Sequence, residues 1–107
     1  MLINLRDKIL SRYGKTSFTK SELSIILGAY GEKVQSGQWR DYAIDTFKGT
    51  AVFSIYRSTS EQPIFSVSKV STNKKNQPIK YQLSDNKKVI KESKLLSDII
   101  DVLREQK

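Results

Sequence analysis

A chain of 107 residues can hold one hydrophobic core and is too short for two independent domains. It carries 19 Lys+Arg against 11 Asp+Glu, a formal net charge of +8, and has neither cysteine nor histidine. Disulfides, thiolate nucleophiles, Cys/His zinc sites and any unperturbed side chain titrating near neutral pH are therefore excluded.

No apolar run is long enough to span a bilayer, and MLINLRDKIL lacks the long apolar core and cleavage site of a secretory signal. The expected setting is a reducing cytoplasm without membrane insertion. A single domain over residues 1–107 is expected, with a short amino-terminal helix or arm over 1–16 and the folded body over 18–106. In the first segment Leu2, Leu5 and Ile9 lie near helical spacing, and a helix that short is marginal unless it docks. Gly14-Lys15-Thr16 matches the end of a phosphate-binding loop. The earlier glycine is missing, with Leu10 in its place, and no strand precedes it.

Thr19-Lys20-Ser21-Glu22 is a capping box, with Phe18 and Leu23 spaced as its hydrophobic staple. Behind it Leu23, Ile26, Leu27, Tyr30 and Val34 form a helical stripe, and Ser36-Gly37 ends the helix. From Gly37 the apolar period shifts toward 2. GQWRDYAIDTFKGTAVFSIYR reads as a hairpin turning at Lys48-Gly49, with Trp39, Asp41, Ala43 and Asp45 on one strand face. A third strand follows Pro63, spanning Ile64 to Ser71. A polar loop over Asn73–Pro78 leads to a fourth strand through Ile79, Tyr81 and Leu83, and Val89-Ile90 adds a short fifth at the edge. Ser93 is positioned to cap a last helix whose stripe is Leu95, Leu96, Ile99, Ile100 and Leu103.

The expected fold class is α+β in two layers. A helix is followed by an antiparallel four- to five-stranded meander and a carboxy-terminal helix, with the helices packed on one sheet face. Its outline resembles the double-stranded RNA-binding domain, although the glycine-proline-histidine loop is absent.

Asp41 and Asp45 lie about 13 Å apart along one strand face. That is too far for a paired-carboxylate mechanism, so cross-strand pairing with Arg40 or Arg57 is the expected use of these charges. No histidine is present to activate the Ser and Thr hydroxyls, and the reading is of a non-enzymatic module without cofactor or metal. Charge is concentrated instead. Between Phe65 and Lys94, Lys69, Lys74, Lys75, Lys80, Lys87, Lys88, Lys91 and Lys94 stand against Asp85 and Glu92, so 30 residues hold +6 of the net +8. Lysines that need only charge and reach suit phosphate contact without base readout, and Tyr56, Tyr81 and Trp39 are candidate stacking rings.

The string QWRDYAID followed by AVFSIYRSTSEQPIFSV carries Trp39, Arg40, Asp41, Tyr42, Asp45, Phe53, Arg57 and Glu61 in one arrangement. With FTKSELSIILGAYG before it, this stretch resembles the signature of a family of small bacterial proteins, alphaproteobacterial in type, described as a domain of unknown function. The resemblance runs from about Phe18 to Lys69, implies a cytoplasmic bacterial protein and supplies no active-site residues. The expected function is nucleic-acid binding, RNA favoured over DNA, through the eight lysines, or binding to an acidic protein surface. The alternative is a protein-interaction module whose patch is Trp39, Arg40, Tyr42, Tyr56 and Arg57.

Overall fold

A computed structural model of the chain describes residues 16–57, 62–71 and 79–106. The expected amino-terminal arm, residues 58–61 and most of the loop before the fourth strand, with Lys74 and Lys75, lie outside them. The elements are α1 (Lys20–Gln35), β1 (Asp41–Phe47), β2 (Thr50–Tyr56), β3 (Phe65–Val70), β4 (Lys80–Asp85), β5 (Val89–Ser93) and α2 (Leu96–Glu105). The strands form one antiparallel sheet in sequence order, so the expected meander is the observed one with five strands.

The capping box forms as its residue types require. Thr19 Oγ1 accepts from the Glu22 backbone N–H at 3.1 Å, and Glu22 Oε1 accepts from the Thr19 N–H at 2.7 Å. The buried face of α1 is Ile26, Ala29 and Tyr30, rotated from the expected stripe: Leu27 and Val34 are exposed. One turn along the buried face stands Lys33, whose ammonium donates to the Gln106 carbonyl at 2.8 Å and lies 5.9 Å from the centre of the Trp39 ring. A long aliphatic stem with a satisfied head covers apolar surface there.

The sheet's helix-covered side follows from register. Ala51, Phe53 and Ile55 of β2 oppose Lys69, Val67 and Phe65 of β3, and these oppose Tyr81, Leu83 and Asp85 of β4. Phe53, Ile55, Val67 and Leu83 are fully buried with Ile26, Ile99 and Leu103 from the two helices. Each such side chain contributes about 1.5–3 kcal/mol relative to exposure. The other side carries smaller, more polar residues, including Ser54, Ser66 and Ser84 in one cross-strand row.

Two further expectations change. Trp39 does not share a strand face with Asp41, because the strand begins at Asp41. Trp39 instead turns into the core, 1% exposed, between Tyr30 and Phe65 with ring centres 6.2 and 6.0 Å away. Ser93 is not the cap of α2 either. It ends β5, and its Oγ accepts from the Leu95 N–H at 3.0 Å while donating to Asp98 Oδ2 at 2.6 Å. The same hydroxyl thus steers the chain into the helix from two residues further out.

Candidate nucleic-acid interface

Among the described residues, the lysines expected to act together divide into three groups. Lys69 sits on the helix-covered side of β3, 7% exposed, with Nζ 2.8 Å from Glu22 Oε1 and 3.1 Å from the Ser17 carbonyl. It is a core ion-pair residue and not part of a basic surface. Alternation decides this: Phe65, Val67 and Lys69 share parity, so the strand that buries the first two carries the third inward. The sequence signal was there, in a lysine in phase with two apolar residues, and its partner Glu22 was already fixed by the capping box.

Glu22 therefore has three roles at once. It caps α1, pairs with Lys69 and accepts from the Tyr81 hydroxyl. Burial pushes its carboxyl up, but the hydrogen bonds from Lys69, the Thr19 backbone and Tyr81 outweigh this and leave it below the ordinary glutamate value. Tyr81 moves the opposite way. Burial and the facing Glu22 carboxylate raise its hydroxyl to about 12, and its ring is held against the core, not offered for base stacking.

Lys80 forms the second group. It is half-exposed on the open side of β4 and lies 3.1 Å from Glu92 Oε1, while Gln82 Nε2 donates to the other oxygen of Glu92 at 2.9 Å. Gln82 and Lys80 together hold the Glu92 carboxyl below its usual range. A carboxylate thus stands within the expected cationic zone and offsets one of its charges.

The third group is Lys87, Lys88, Lys91 and Lys94, all exposed and without an ion pair among the described residues. Lys87 and Lys88 form the β4–β5 turn, where both backbone N–H groups donate to Asp85 Oδ1 at 2.7 and 2.8 Å. Those bonds, first Lys87 and then Lys88, hold the Asp85 carboxyl below its usual range and fix the turn. Lys91 lies on β5, opposite Leu83, and Lys94 follows the strand's end. From Lys88 to Lys94 the edge spans about 20 Å at the usual strand rise.

The alternative patch is also only partly assembled. Trp39 is buried, which removes it from any recognition surface. Tyr42 is 40% exposed but stacks on Phe53, ring centres 4.9 Å apart and 9° between planes, and meets Tyr30 edge-on at 5.1 Å. Arg40 and Arg57 are exposed at the same end of the β1–β2 hairpin, and Tyr56 lies half-buried on the open side, opposite Asp41. Tyr56 is three strand spacings from β5, about 14 Å, and on the sheet side opposite to Lys91.

The described residues define a two-layer α+β domain: a helix, a five-stranded antiparallel meander and a helix on one side of the sheet. The chain belongs to the family described as protein of unknown function (DUF2794), whose model matches residues 16–100. That match extends past the signature string through the lysine-rich half. No curated protein and no solved structure matches the chain at a significant level. No helix among the described residues is long and apolar enough to cross a membrane.

Proposed function

We propose that this domain is a non-enzymatic cytoplasmic module of alphaproteobacterial type that binds the phosphate backbone of nucleic acid, RNA in preference to DNA, along the β5 edge. The observation that carries the reading is the set Lys87, Lys88, Lys91 and Lys94, four exposed ammonium groups without ion pairs among the described residues, along about 20 Å of one strand edge. Lysine acts at phosphate as a point charge, so this arrangement suits contact that depends on backbone and not on base identity. Of the three candidate stacking rings, Trp39 and Tyr81 are held in or against the core, and Tyr56 is too far from this edge to stack a base held there, which favours backbone contact alone.

Four such contacts make binding steeply salt-dependent. Between 50 and 200 mM salt the affinity falls about 50-fold for a single strand and about 150-fold for a duplex. Fluorescence-anisotropy titration of labelled RNA and DNA at several salt concentrations tests the reading. Binding that survives replacement of all four lysines by Gln overturns it.

A second reading has one observation in its favour: Arg40 and the half-exposed Tyr42 lie together at one end of the opposite edge. Arg and Tyr are enriched in protein contacts. Salt-resistant co-purification of a protein, lost on Arg40→Ala, selects this second reading.

A further inference from the structure

The two edges of the sheet are built differently. β5 is short, its pairing with β4 shifts register between Leu83 and Ser84, and lysines stand before, on and after it. Bulges and lysines are the features that keep an edge from accepting another strand. β1 has neither. Its seven residues pair with β2 in one unbroken register, and its outer side is the sheet's other edge. Tyr42, Ile44 and Phe47 are 40%, 42% and 54% exposed there, three large apolar side chains on one edge strand.

We propose that the outer edge of β1 takes an extended segment of a partner protein as a sixth strand, one with basic residues four apart and apolar residues at the second and fourth positions of that five-residue stretch. Strand alternation supplies the pattern. Asp41, Ala43 and Asp45 share the open side, while Tyr42 and Ile44 share the helix-covered side. An added strand in register therefore meets carboxylate, apolar, small, apolar and carboxylate in turn. Its own residues are complementary when they read basic, apolar, small, apolar, basic.

Both carboxylates are exposed and form no ion pair among the described residues. Asp41 accepts the Tyr42 backbone N–H through Oδ1, and its Oδ2 has no hydrogen bond among the described residues. The flanking cations Arg40 and Lys48 lie outside the strand. At the far end the Phe47 carbonyl already accepts from the Thr16 N–H at 3.2 Å, which limits the usable edge to Asp41–Thr46.

A second copy of this chain fits the edge poorly in the two-fold registers that pair more than three residues of Asp41–Thr46. In the two-fold antiparallel pairing with Ile44 on the axis, Asp41 faces the copy's Phe47 and lies diagonal to its Asp45, and Arg40 faces Lys48. Moving the axis to Ala43 sets Asp41 directly against Asp45, and moving it to Asp45 opposes two Asp45 carboxylates. Like charges opposed across a strand pair are destabilising, and each protomer also carries +8. A basic, alternating heterologous strand has no such conflict. This site is on the opposite edge from the β5 lysines and stands independently of the nucleic-acid reading.

The test is an amide-resolved NMR titration of the full chain with a nine-residue peptide holding the core Lys-Val-Ser-Val-Lys, and with its Glu-Val-Ser-Val-Glu counterpart. The expected result is shifts and slowed amide exchange confined to Asp41–Thr46 and the facing β2 residues, with the acidic peptide about tenfold weaker. The double substitution Asp41→Lys with Asp45→Lys should reverse the preference, and its gain of acidic-peptide binding also shows that the variant is folded. Equal binding of both peptides, shifts centred on β5, or no shifts at millimolar peptide overturn the proposal. So does a concentration-dependent dimer that Ile44→Lys abolishes, since the occupant is then a second copy.

Discussion

Lys69 Nζ lies 2.8 Å from Glu22 Oε1, joining the middle strand of the sheet to the first turn of α1 across 47 residues of sequence. Their side chains are only 8% and 13% exposed. The cation also donates to the Ser17 carbonyl, and the carboxylate takes further bonds from Thr19 and Tyr81. A buried pair with this many additional bonds fixes where the helix docks, because an axial slip of one residue would strand both charges.

Glu22→Gln should lower stability by about 3 kcal/mol, chiefly by leaving the Lys69 ammonium buried without its counter-charge. Denaturant unfolding followed through Trp39 fluorescence measures it. Lys69→Met alone should also destabilise, while the double variant Glu22→Gln with Lys69→Met should lose less than the two single losses combined, since neither buried charge remains.

The same network sets the pH response. Glu22 is depressed in the fold, so its stabilisation is present above the unfolded glutamate value and is lost as pH falls through the lower folded value. Tyr81 is raised from 10.0 to about 12, so its contribution is complete below pH 10 and is lost as pH rises toward 12. Thermal unfolding across pH 2–5 and 9–12 should show both losses. Glu22→Gln should flatten the acidic limb relative to wild type, and Tyr81→Phe the alkaline one.

Gly49→Ala should destabilise by about 1–2 kcal/mol through left-handed backbone strain alone. Gly49 has φ +78°, and an added Cβ would sit 3.0 Å from the Ser71 carbonyl oxygen. That contact is with backbone, and Ser71 N in turn donates to the Gly49 carbonyl at 2.8 Å, so the neighbour cannot move without loss of a bond. Equilibrium urea unfolding should show the midpoint fall with an unchanged slope.

Trp39→Ala should cost about 3–5 kcal/mol, the range for truncating a large buried aromatic. Tyr42→Ala, with its ring 40% exposed, should cost clearly less. If the two losses are equal, Tyr42 is as much a core residue as Trp39. Unfolding curves of the two variants decide between these outcomes.

Replacing Lys87, Lys88, Lys91 and Lys94 with Gln should leave the melting temperature nearly unchanged, because none of them has an ion pair among the described residues and the attraction of Lys87 and Lys88 to Asp85 is between exposed groups. Under the proposed function the same variant should abolish measurable RNA binding at 150 mM salt. Lys80→Gln should weaken binding little, since Glu92 already offsets that charge.

The capping box at Thr19–Glu22, the turn at Lys48-Gly49, the strand alternation and the carboxy-terminal apolar stripe, apart from Leu95, which precedes the helix and is exposed, were legible in the sequence because each is a local pattern of a few residues. Those patterns determined element order and the two-layer class and left four or five strands open, which the structure closes at five. They did not determine which helix face turns inward, because Leu27 and Ala29, two positions apart, point to different sides of the helix and only docking against the sheet chose Ala29. They also did not divide the lysines. Lys69, Lys80 and Lys91 look equivalent in composition, yet alternation and cross-strand neighbours bury the first against Glu22, pair the second with Glu92 and leave the third exposed. A charge is disposed of by whatever stands within a few ångströms of it. For Lys69 and Glu22 that neighbour is distant in sequence, and only the closed sheet with its helices brings the two together.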